Sequence, residues 1–180
     1  MAGLPAFPAA TRAGLEAPAL LTSRGFALRH ATDADLPALQ QLYADTRADE
    51  MAGVPWPPAA RQGFLAQQFA LQHQHYVSHY AGADFMVVER QGVVQGRYYL
   101  LRAEPEHLVI DISLLAAQRG QGLGRALIEA SQAQARLLGR GMTLHVLRSN
   151  VRARKLYEAL GFTACEGGTP THQRMRWPAS

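Results

Sequence analysis

The stretch "AAQRGQGLGRALIEA" (Ala116–Ala130) decides the fold, because it places three glycines within five residues at the point where a helix should begin. Glycine loses more backbone entropy on ordering than any other residue, so alternating glycines are a poor start for a helix. The first amides of a helix have no partner within the helix, and the helix dipole adds about half a positive charge there. A glycine loop between a strand and a helix lets an anion approach these amides closely. The stretch therefore predicts a phosphate-binding site.

Three phosphate-binding patterns can be compared with this loop. A nucleotide-hydrolysing P-loop needs a lysine after its last glycine, and no lysine follows these glycines. A dinucleotide-binding loop needs GxGxxG, but another residue stands at the third glycine position whichever glycine starts the count. The third pattern is [QR]xxGx[GA], which Arg119, Gly122 and Gly124 satisfy.

A second segment, "NVRARKLYEALGF" (Asn150–Phe162), follows the loop after the length of one helix and one strand. The two segments resemble the pyrophosphate loop and the NxxAxxLYxxxGF element of the GNAT N-acetyltransferase superfamily. The matching residues of the second element are Asn150, Ala153, Leu156, Tyr157, Gly161 and Phe162. The earlier stretch "LRHATDADLPALQQLY" (residues 28–43) is similar to the opening strand and first helix of the family. The resemblance covers roughly residues 26–177 and is most specific in the C-terminal half.

The resemblance implies acetyl-coenzyme A (acetyl-CoA) as co-substrate, with its pyrophosphate held by the loop amides. In the family, the strand before the loop parts from the next strand, and the pantetheine arm pairs with the freed backbone. Here Ile112 and Leu114 would supply that backbone, with an N–H near Leu114 polarising the thioester carbonyl. Asn150 would steady the arm from the opposite side. The expected cofactor-binding residues are Ile112, Leu114, Arg119, Gly120, Gln121, Gly122, Leu123, Gly124, Arg125 and Asn150.

The resemblance also implies direct attack of an amine on the thioester, with Tyr157 giving a proton to the departing thiolate. A thiol has a pKa near 8.5 and a tyrosine a pKa near 10, so a phenol is a workable acid for this step. For the base, His145 lies in the middle of the second parting strand, and its ordinary pKa suits neutral pH. Asp111 on the facing strand could orient it. Glu106, at the start of that strand, and a chain of water molecules are the alternatives.

The order of predicted elements gives the fold class. A strand and two helices come first, then a hairpin that turns near Gln91, and finally a strand–helix–strand–helix–strand run. This order predicts an α/β (α+β) protein with one mixed central sheet. The resemblance makes it a single GNAT-like domain with splayed strands and helices on both faces. We expect residues 25–180 to form this domain and residues 1–24, rich in alanine and proline, to be a flexible extension.

Composition excludes several other classes of protein. The 180 residues are 48% hydrophobic and 18% charged, which is typical of a globular protein. The single cysteine, Cys165, allows no intrachain disulfide, so we expect a cytoplasmic protein. No apolar run approaches the roughly 18 residues that span a bilayer, so no membrane association is expected. His75 and His79 share a helical spacing but have neither a glutamate nor a cysteine in a zinc-site pattern, so no metal is expected.

The predicted partners are acetyl-CoA and an unidentified amine acceptor, either a small molecule or a peptide, and a homodimer is possible. The net charge of +4 is carried almost entirely by arginine. Many of these arginines lie beside the predicted phosphate site, which already accounts for their charge, so nucleic acid is not an expected partner. Two alternatives remain on the same fold: a non-catalytic acyl-CoA sensor and an RNA-directed acetyltransferase.

Overall fold

The computed structural model describes residues 3–179, so the outer ends of the predicted extension and domain lie outside the described residues. The helices are α1 (Ala19–Ser23), α2 (Leu36–Thr46), α3 (Ala48–Ala52), α4 (Pro58–His79), α5 (Leu123–Leu137) and α6 (Val151–Ala159). The strands are β1 (Phe26–His30), β2 (Asp84–Arg90), β3 (Val93–Arg102), β4 (Glu106–Leu114), β5 (Gly141–Leu147), β6 (Thr163–Cys165) and β7 (His172–Trp177). Short 3₁₀ turns cover Asp33–Asp35 and Ala116–Gln118. The predicted order of elements is confirmed, with α1, α3 and β6 as additions.

The seven strands form one mixed sheet in the order β1-β2-β3-β4-β5-β7-β6. Strands β4 and β5 run parallel, and every other neighbouring pair is antiparallel. The parallel pairing extends from Glu106 opposite Gly141 to Val109 opposite Leu144 and then stops. The remaining parts of both strands diverge. The predicted α/β sheet with splayed strands is therefore confirmed.

A β-bulge interrupts β4 where it begins to part from β5. Tyr99 of β3 is opposite Asp111, but the next residue, Leu100, is opposite Val109, so Ile110 is an extra residue. A bulge breaks the alternation of side chains between the two faces. Ile110 and Asp111 consequently share one face: Ile110 packs in the cluster beneath α4, and Asp111 bonds to a side chain of α4.

Apolar clusters cover both faces of the sheet. On one face, the strands pack against α1, α5 and α6 through buried side chains such as Leu21, Leu127 and Tyr157. On the other face, Leu39 of α2 and Phe69 of α4 belong to one second cluster. Helices therefore lie on both faces, as predicted. No helix within residues 3–179 is long and apolar enough to cross a membrane.

The segment before β1 packs against the domain, which differs from the flexible extension that composition predicts. Leu21 is completely buried and Leu15 nearly so, and both belong to the main core. Phe7 lies edge-to-face on His73 of α4 at 4.8 Å between ring centroids. The carbonyl of Pro5 lies 2.7 Å from Nε2 of that histidine. The apolar side chains spaced along this segment are buried because they find complementary surface, even though its prolines prevent a long helix.

Candidate active site

A cleft of about 700 Å³ opens where β4 and β5 diverge. Its walls come from the ends of these strands, the N-termini of α5 and α6, and the α2–α3 region on the opposite side. The predicted site residues that line it are Asp111, Ile112, Leu114, Arg119, Gly120, Gly122, Leu123, Gly124, Arg125, Asn150 and Tyr157. Two predicted residues, Gln121 and His145, are not among the lining residues. The cleft therefore brings the loop and Tyr157 to one place.

The glycine loop presents the open N-terminus of α5 to this cleft. Gly122 precedes the helix with φ +84°, a left-handed conformation that side-chain-bearing residues rarely adopt, and Gly120 has φ +75°. No side chain caps the helix, so the amides of its first turn keep their hydrogen-bonding capacity. A Cβ on Gly120 would lie 2.8 Å from the guanidinium of Arg152 on α6. A cationic side chain therefore covers the loop that also offers the free amides.

The third glycine of the loop lies beside β4 and leaves room for a Cβ. A Cβ on Gly124 would meet the side chains of Ile112 and Leu114 at 3.5 and 4.0 Å, respectively. Gly124 therefore sits in the first turn of α5 directly against β4, so the helix N-terminus lies close to the diverging strand.

Arg119 holds the loop in place and is not a free charge. Its Nε donates to the carbonyl of Leu114 at 2.8 Å, and its Nη2 donates to Asp45 on α2 at 2.7 Å. The carboxylate of Asp45 also accepts from the amide of Ala116 at 3.1 Å. The carbonyl of Leu114, which was expected to pair with a pantetheine arm, is thus already bonded to Arg119.

Tyr157 and Asn150 occupy the α6 side of the cleft. The Asn150 side chain accepts from the amide of Ala153 at 3.0 Å and caps α6. Tyr157 is only 7% exposed. Burial, and then the negative charge of Asp111, raise the pKa of Tyr157 to about 12. Its hydroxyl consequently carries its proton throughout the neutral range.

Asp111 lies in the cleft within a dense hydrogen-bond network. Its carboxylate accepts two bonds from Arg97 at 2.8 and 3.1 Å, one from the Tyr76 hydroxyl at 3.0 Å, and one from Ser113 at 2.8 Å. The Arg97 side chain is 3% exposed and also donates to Gln72 of α4. Burial and the charge of Asp111 raise the pKa of the Tyr76 hydroxyl, so it remains a donor. Asp111 is therefore tied to α4 and makes no hydrogen bond to His145.

Comparisons with known proteins agree with this geometry. The family model described as "Acetyltransferase (GNAT) domain" matches residues 81–164, which include both diverging strands, the glycine loop and Tyr157. This part of the chain is therefore similar to GNAT acetyltransferases.

Individual relatives of this chain are named as N-acetyltransferases. N-alpha-acetyltransferase 40 of Saccharomyces cerevisiae is 36% identical over 108 residues, which cover 53% of this chain and 38% of that protein. The 5-NmdU N-acetyltransferase of Pseudomonas phage PaMx11 is 38% identical over 80 residues, which cover 43% of this chain and 55% of the phage protein. The chain thus spans about half or less of the length of these curated relatives.

The GNAT fold itself extends over most of the chain. The crystal structure of PaiA N-acetyltransferase from Thermoplasma acidophilum in complex with coenzyme A superposes with a TM-score of 0.66. The superposition covers 85% of this chain and 98% of the other at 13% identity. The shared architecture includes the region before residue 81, which the family model does not match.

The structure places His145 outside the cleft, which corrects its prediction as the base. Its neighbours Leu144 and Val146 point into the core, so alternation along β5 turns His145 to the other face, opposite Arg174 of β7. The side chain is exposed to solvent. Partial burial, with the charges of Arg174 and His172, lowers its pKa. The sequence therefore predicted the strand β5 correctly, but the face of β5 that carries His145 is exposed to solvent and does not line the cleft.

Glu106 is also remote from the cleft. It lies opposite Gly141 at the closed end of the parallel pair, where the strands still hydrogen-bond to each other. Its carboxylate pairs with Arg176 and with Arg174, the latter at 3.5 Å. The start of β4 is therefore the wrong end of the strand for a group that must reach the cleft.

The wall opposite the glycine loop was missed by the sequence analysis. It consists of side chains from α2, α3, α4 and β3, namely Tyr43, Thr46, Arg47, Asp49, Glu50, Gln72 and Arg97. Arg97 alone gave a usable signal, because it is a charge in the middle of β3 with four uncharged residues on each side. Trp56, in the loop before α4, packs against Phe64 at 5.2 Å between ring centroids and is not among the lining residues.

Residues 3–179 contain no group of three or more His, Cys, Asp or Glu side chains that could hold a metal ion. His75 and His79 lie side by side, with 4.1 Å between ring centroids, and Nδ1 of His79 lies 2.9 Å from the carbonyl of His75.

Proposed function

We propose that this protein is an N-acetyltransferase that transfers the acetyl group of acetyl-CoA directly to a primary amine. One observation carries the proposal: the uncapped N-terminus of α5 and the protonated hydroxyl of Tyr157 face the same cleft between diverging strands. The first feature suits the phosphates of the co-substrate, and the second suits its leaving thiolate. Similarity to GNAT acetyltransferases and a structural neighbour that binds coenzyme A give further support.

The residues around the loop fit a pyrophosphate. Amides in the first turn of α5 donate without a competing cap, and the helix dipole favours an anion at that point. Arg152 lies over Gly120 and makes no ion pair within residues 3–179, so its charge is available to a phosphate. Arg125 pairs with Glu129 at 2.9 Å, which leaves Arg152 as the better-placed cation.

The proposed reaction balances with groups on this chain and water. The amine nitrogen forms a bond to the thioester carbon, and the carbon–sulfur bond breaks. Tyr157 gives its proton to the departing sulfur and regains one from water. Backbone amides of β4 near Leu114 stabilise the oxyanion that forms before the carbon–sulfur bond breaks.

Water is proposed as the acceptor of the amine's proton. A carboxylate offers about four lone-pair positions, and the four hydrogen bonds to Asp111 already use them. Asp111 would have to give up one of these bonds to accept a proton. We therefore propose that Asp111 favours the cationic acceptor electrostatically and fixes Arg97 and Tyr76, while solvent in the open cleft removes the proton.

The acceptor class is proposed only as a primary amine. The relatives named above are an N-alpha-acetyltransferase and a 5-NmdU N-acetyltransferase, so their names do not agree on one acceptor. The wall from α2 to α4 carries both acidic and basic side chains. A screen should therefore include peptides with free N-termini, aminomethylated nucleosides, polyamines and amino acids.

Two measurements test the proposal. Calorimetry should show acetyl-CoA binding to the wild type, and Arg152→Ala should weaken it about tenfold, as for one charge-assisted contact. Arg154→Ala is the matched control, because Arg154 lies on the same helix and faces Glu158 at 3.7 Å. The amine screen should then show thiol release with at least one acceptor class.

Three results would contradict the proposal. A folded wild type that does not bind acetyl-CoA would refute the assignment of the cleft. Tight binding without acetylation of any amine class would favour the acyl-CoA sensor instead. RNA binding with a steep salt dependence, together with acetylation of RNA alone, would favour the RNA-directed alternative.

A further inference from the structure

Two side chains of the N-terminal segment contact the glycine loop from outside the cleft. Nη1 of Arg24 donates to the carbonyl of Gln121 at 2.8 Å. Cδ2 of Leu20 lies 3.4 Å from the position that a Cβ on Gly122 would occupy. Both residues belong to α1 or its C-cap, so one short element reaches two consecutive residues of the loop.

The helix α1 is fixed to the core beneath the loop. Leu21, between the two contacting residues, is completely buried in the same cluster as Leu123 and Leu127 of α5. The amides of Arg24 and Gly25 close the helix by bonding to the carbonyls of Leu21 and Thr22. Leu20 and Arg24 therefore hold a defined position relative to α5.

The contact with the Gln121 carbonyl has a consequence for the next amide. A trans peptide is planar, so its C=O and N–H point in opposite directions. Arg24 holds the carbonyl of Gln121 on the outer side of the loop, and the N–H of Gly122 must then point away from Arg24. Gly122 itself lines the cleft.

The loop needs such a restraint because of its composition. Glycines at positive φ reach many conformations when they are unrestrained, and fixing each residue costs backbone entropy. A ligand that ordered the loop would bind more weakly by that cost. A loop held by the protein in advance would bind it more tightly.

We propose that Arg24 and Leu20 are positioning residues that hold the glycine loop in its phosphate-binding conformation, so that the N-terminal segment forms part of the co-substrate site. The inference rests on the proposed function, because it takes acetyl-CoA as the ligand of the loop. It assigns a role in binding to a segment that lies before the residues matched by the family model.

The test uses Arg24→Ala in the full chain, with Ser23→Ala as matched control. Ser23 neighbours Arg24, is exposed, and bonds only to the carbonyl of Leu20 within α1. Arg24→Ala should raise the Kd for acetyl-CoA about three- to tenfold, the effect of one hydrogen bond. Its melting temperature and its kcat at saturating acetyl-CoA should stay at the wild-type values. In the free protein, the amide of Gly122 should exchange its hydrogen faster.

A salt series separates positioning from long-range attraction of the phosphates by the Arg24 charge. If Arg24 acts by holding the loop in position, the ratio of mutant to wild-type Kd should be the same at about 0.05 and 0.5 M salt, because screening of charges does not affect the loop's conformation. Leu20→Ala, which removes no charge, should also raise the Kd.

Several outcomes would overturn the inference. An unchanged Kd for Arg24→Ala would do so while leaving the proposed function intact, because the wild type would still bind. A ratio of mutant to wild-type Kd that falls toward one at high salt would show that the charge of Arg24 attracts the phosphates. A parallel loss of melting temperature and kcat would assign it to general stability. A wild type that does not bind acetyl-CoA would remove the proposed function on which the inference rests.

Discussion

Replacing Tyr157 by phenylalanine should separate its chemistry from its packing. The ring lies 6.0 Å from the ring of Phe162 between centroids and contributes to the main core, and phenylalanine keeps that contact. The Tyr157 hydroxyl makes no hydrogen bond to the part of the chain that the structure describes, so its removal should cost less than about 1 kcal/mol of stability. The chemical step should slow by about 10²–10⁴, the usual contribution of general acid catalysis.

The assay should be a single-turnover measurement of thiol release with saturating acetyl-CoA and amine. Product release can limit kcat in the steady state and would then conceal the loss. The raised pKa of Tyr157, about 12, means that the phenol stays protonated up to high pH in the folded protein. Its contribution to stability is therefore complete below pH 10 and is lost only as the pH rises toward 12. Between about pH 6 and 9, the loss of rate in Tyr157→Phe should thus be independent of pH.

Tyr98→Phe is the matched control for this experiment. Tyr98 is completely buried, and its hydroxyl lies 2.7 Å from Ser131 in the same core cluster. Its removal should cost about 1 kcal/mol of stability and leave the rate of the chemical step unchanged. A Tyr157→Phe protein that turns over at the wild-type rate would refute the assignment of Tyr157 as the acid. Equal losses in both variants would show that buried hydroxyls matter only for packing.

Three further predictions follow from side-chain positions. His145→Ala should keep kcat/KM within about twofold and leave the pH–rate profile unchanged, because the histidine faces solvent; a lost acidic limb would restore it as the base. Gly122→Ala should lower the free energy of unfolding, measured with urea, by about 1–2 kcal/mol, because it forces a side chain into φ +84°. Gly124→Ala should not lower it, because a Cβ there makes only ordinary contacts and the residue is helical. Burial, and then nearby arginine charges, lower the pKa of His107 to about 4. Between this value and the ordinary pKa near 6.5, the unfolded chain binds a proton that the folded protein does not, so urea unfolding should show about 2 kcal/mol lower stability at about pH 5 than at 7.5. His107→Leu should abolish this difference.

The local structure of the glycine loop and of the start of α6 was predictable because it depends on the backbone properties of neighbouring residues. Glycines at 120 and 122 adopt positive φ, and a capping asparagine starts α6, so short sequence patterns determine both features. Tyr157 was predicted from the resemblance to the NxxAxxLYxxxGF element, which begins at the same asparagine. These residues lie within one strand–helix–strand–helix unit, in which sequence neighbours are also neighbours in space.

The N-terminal segment was not predictable by the same reasoning. Its alanines and prolines give no sustained helical or strand periodicity, and composition alone therefore predicts a loose chain. Its apolar side chains are spaced irregularly, and each finds a different partner: Phe7 on α4 and β2, Leu21 in the core beside α5. Burial of this kind depends on a complementary surface that only the folded domain provides.

The position of His145 was predicted wrongly for a reason that also explains why the cleft wall from α2 to α4 was missed. Strand alternation predicts which residues share a face, but not where that face points once two strands separate. On β5, His145 points to the opposite face from Leu144, as alternation predicts. At this position β5 is paired with β7, and His145 is not among the residues that line the cleft. On β4, the bulge at Ile110 resets the alternation and puts Asp111 beneath α4, where Arg97 and Tyr76 bind it. The loop end of the cleft is thus made of backbone that a motif can specify. The opposite wall depends on a one-residue register shift and on helices far away in sequence, so two chains with the same glycine loop can have entirely different walls at that end of the cleft.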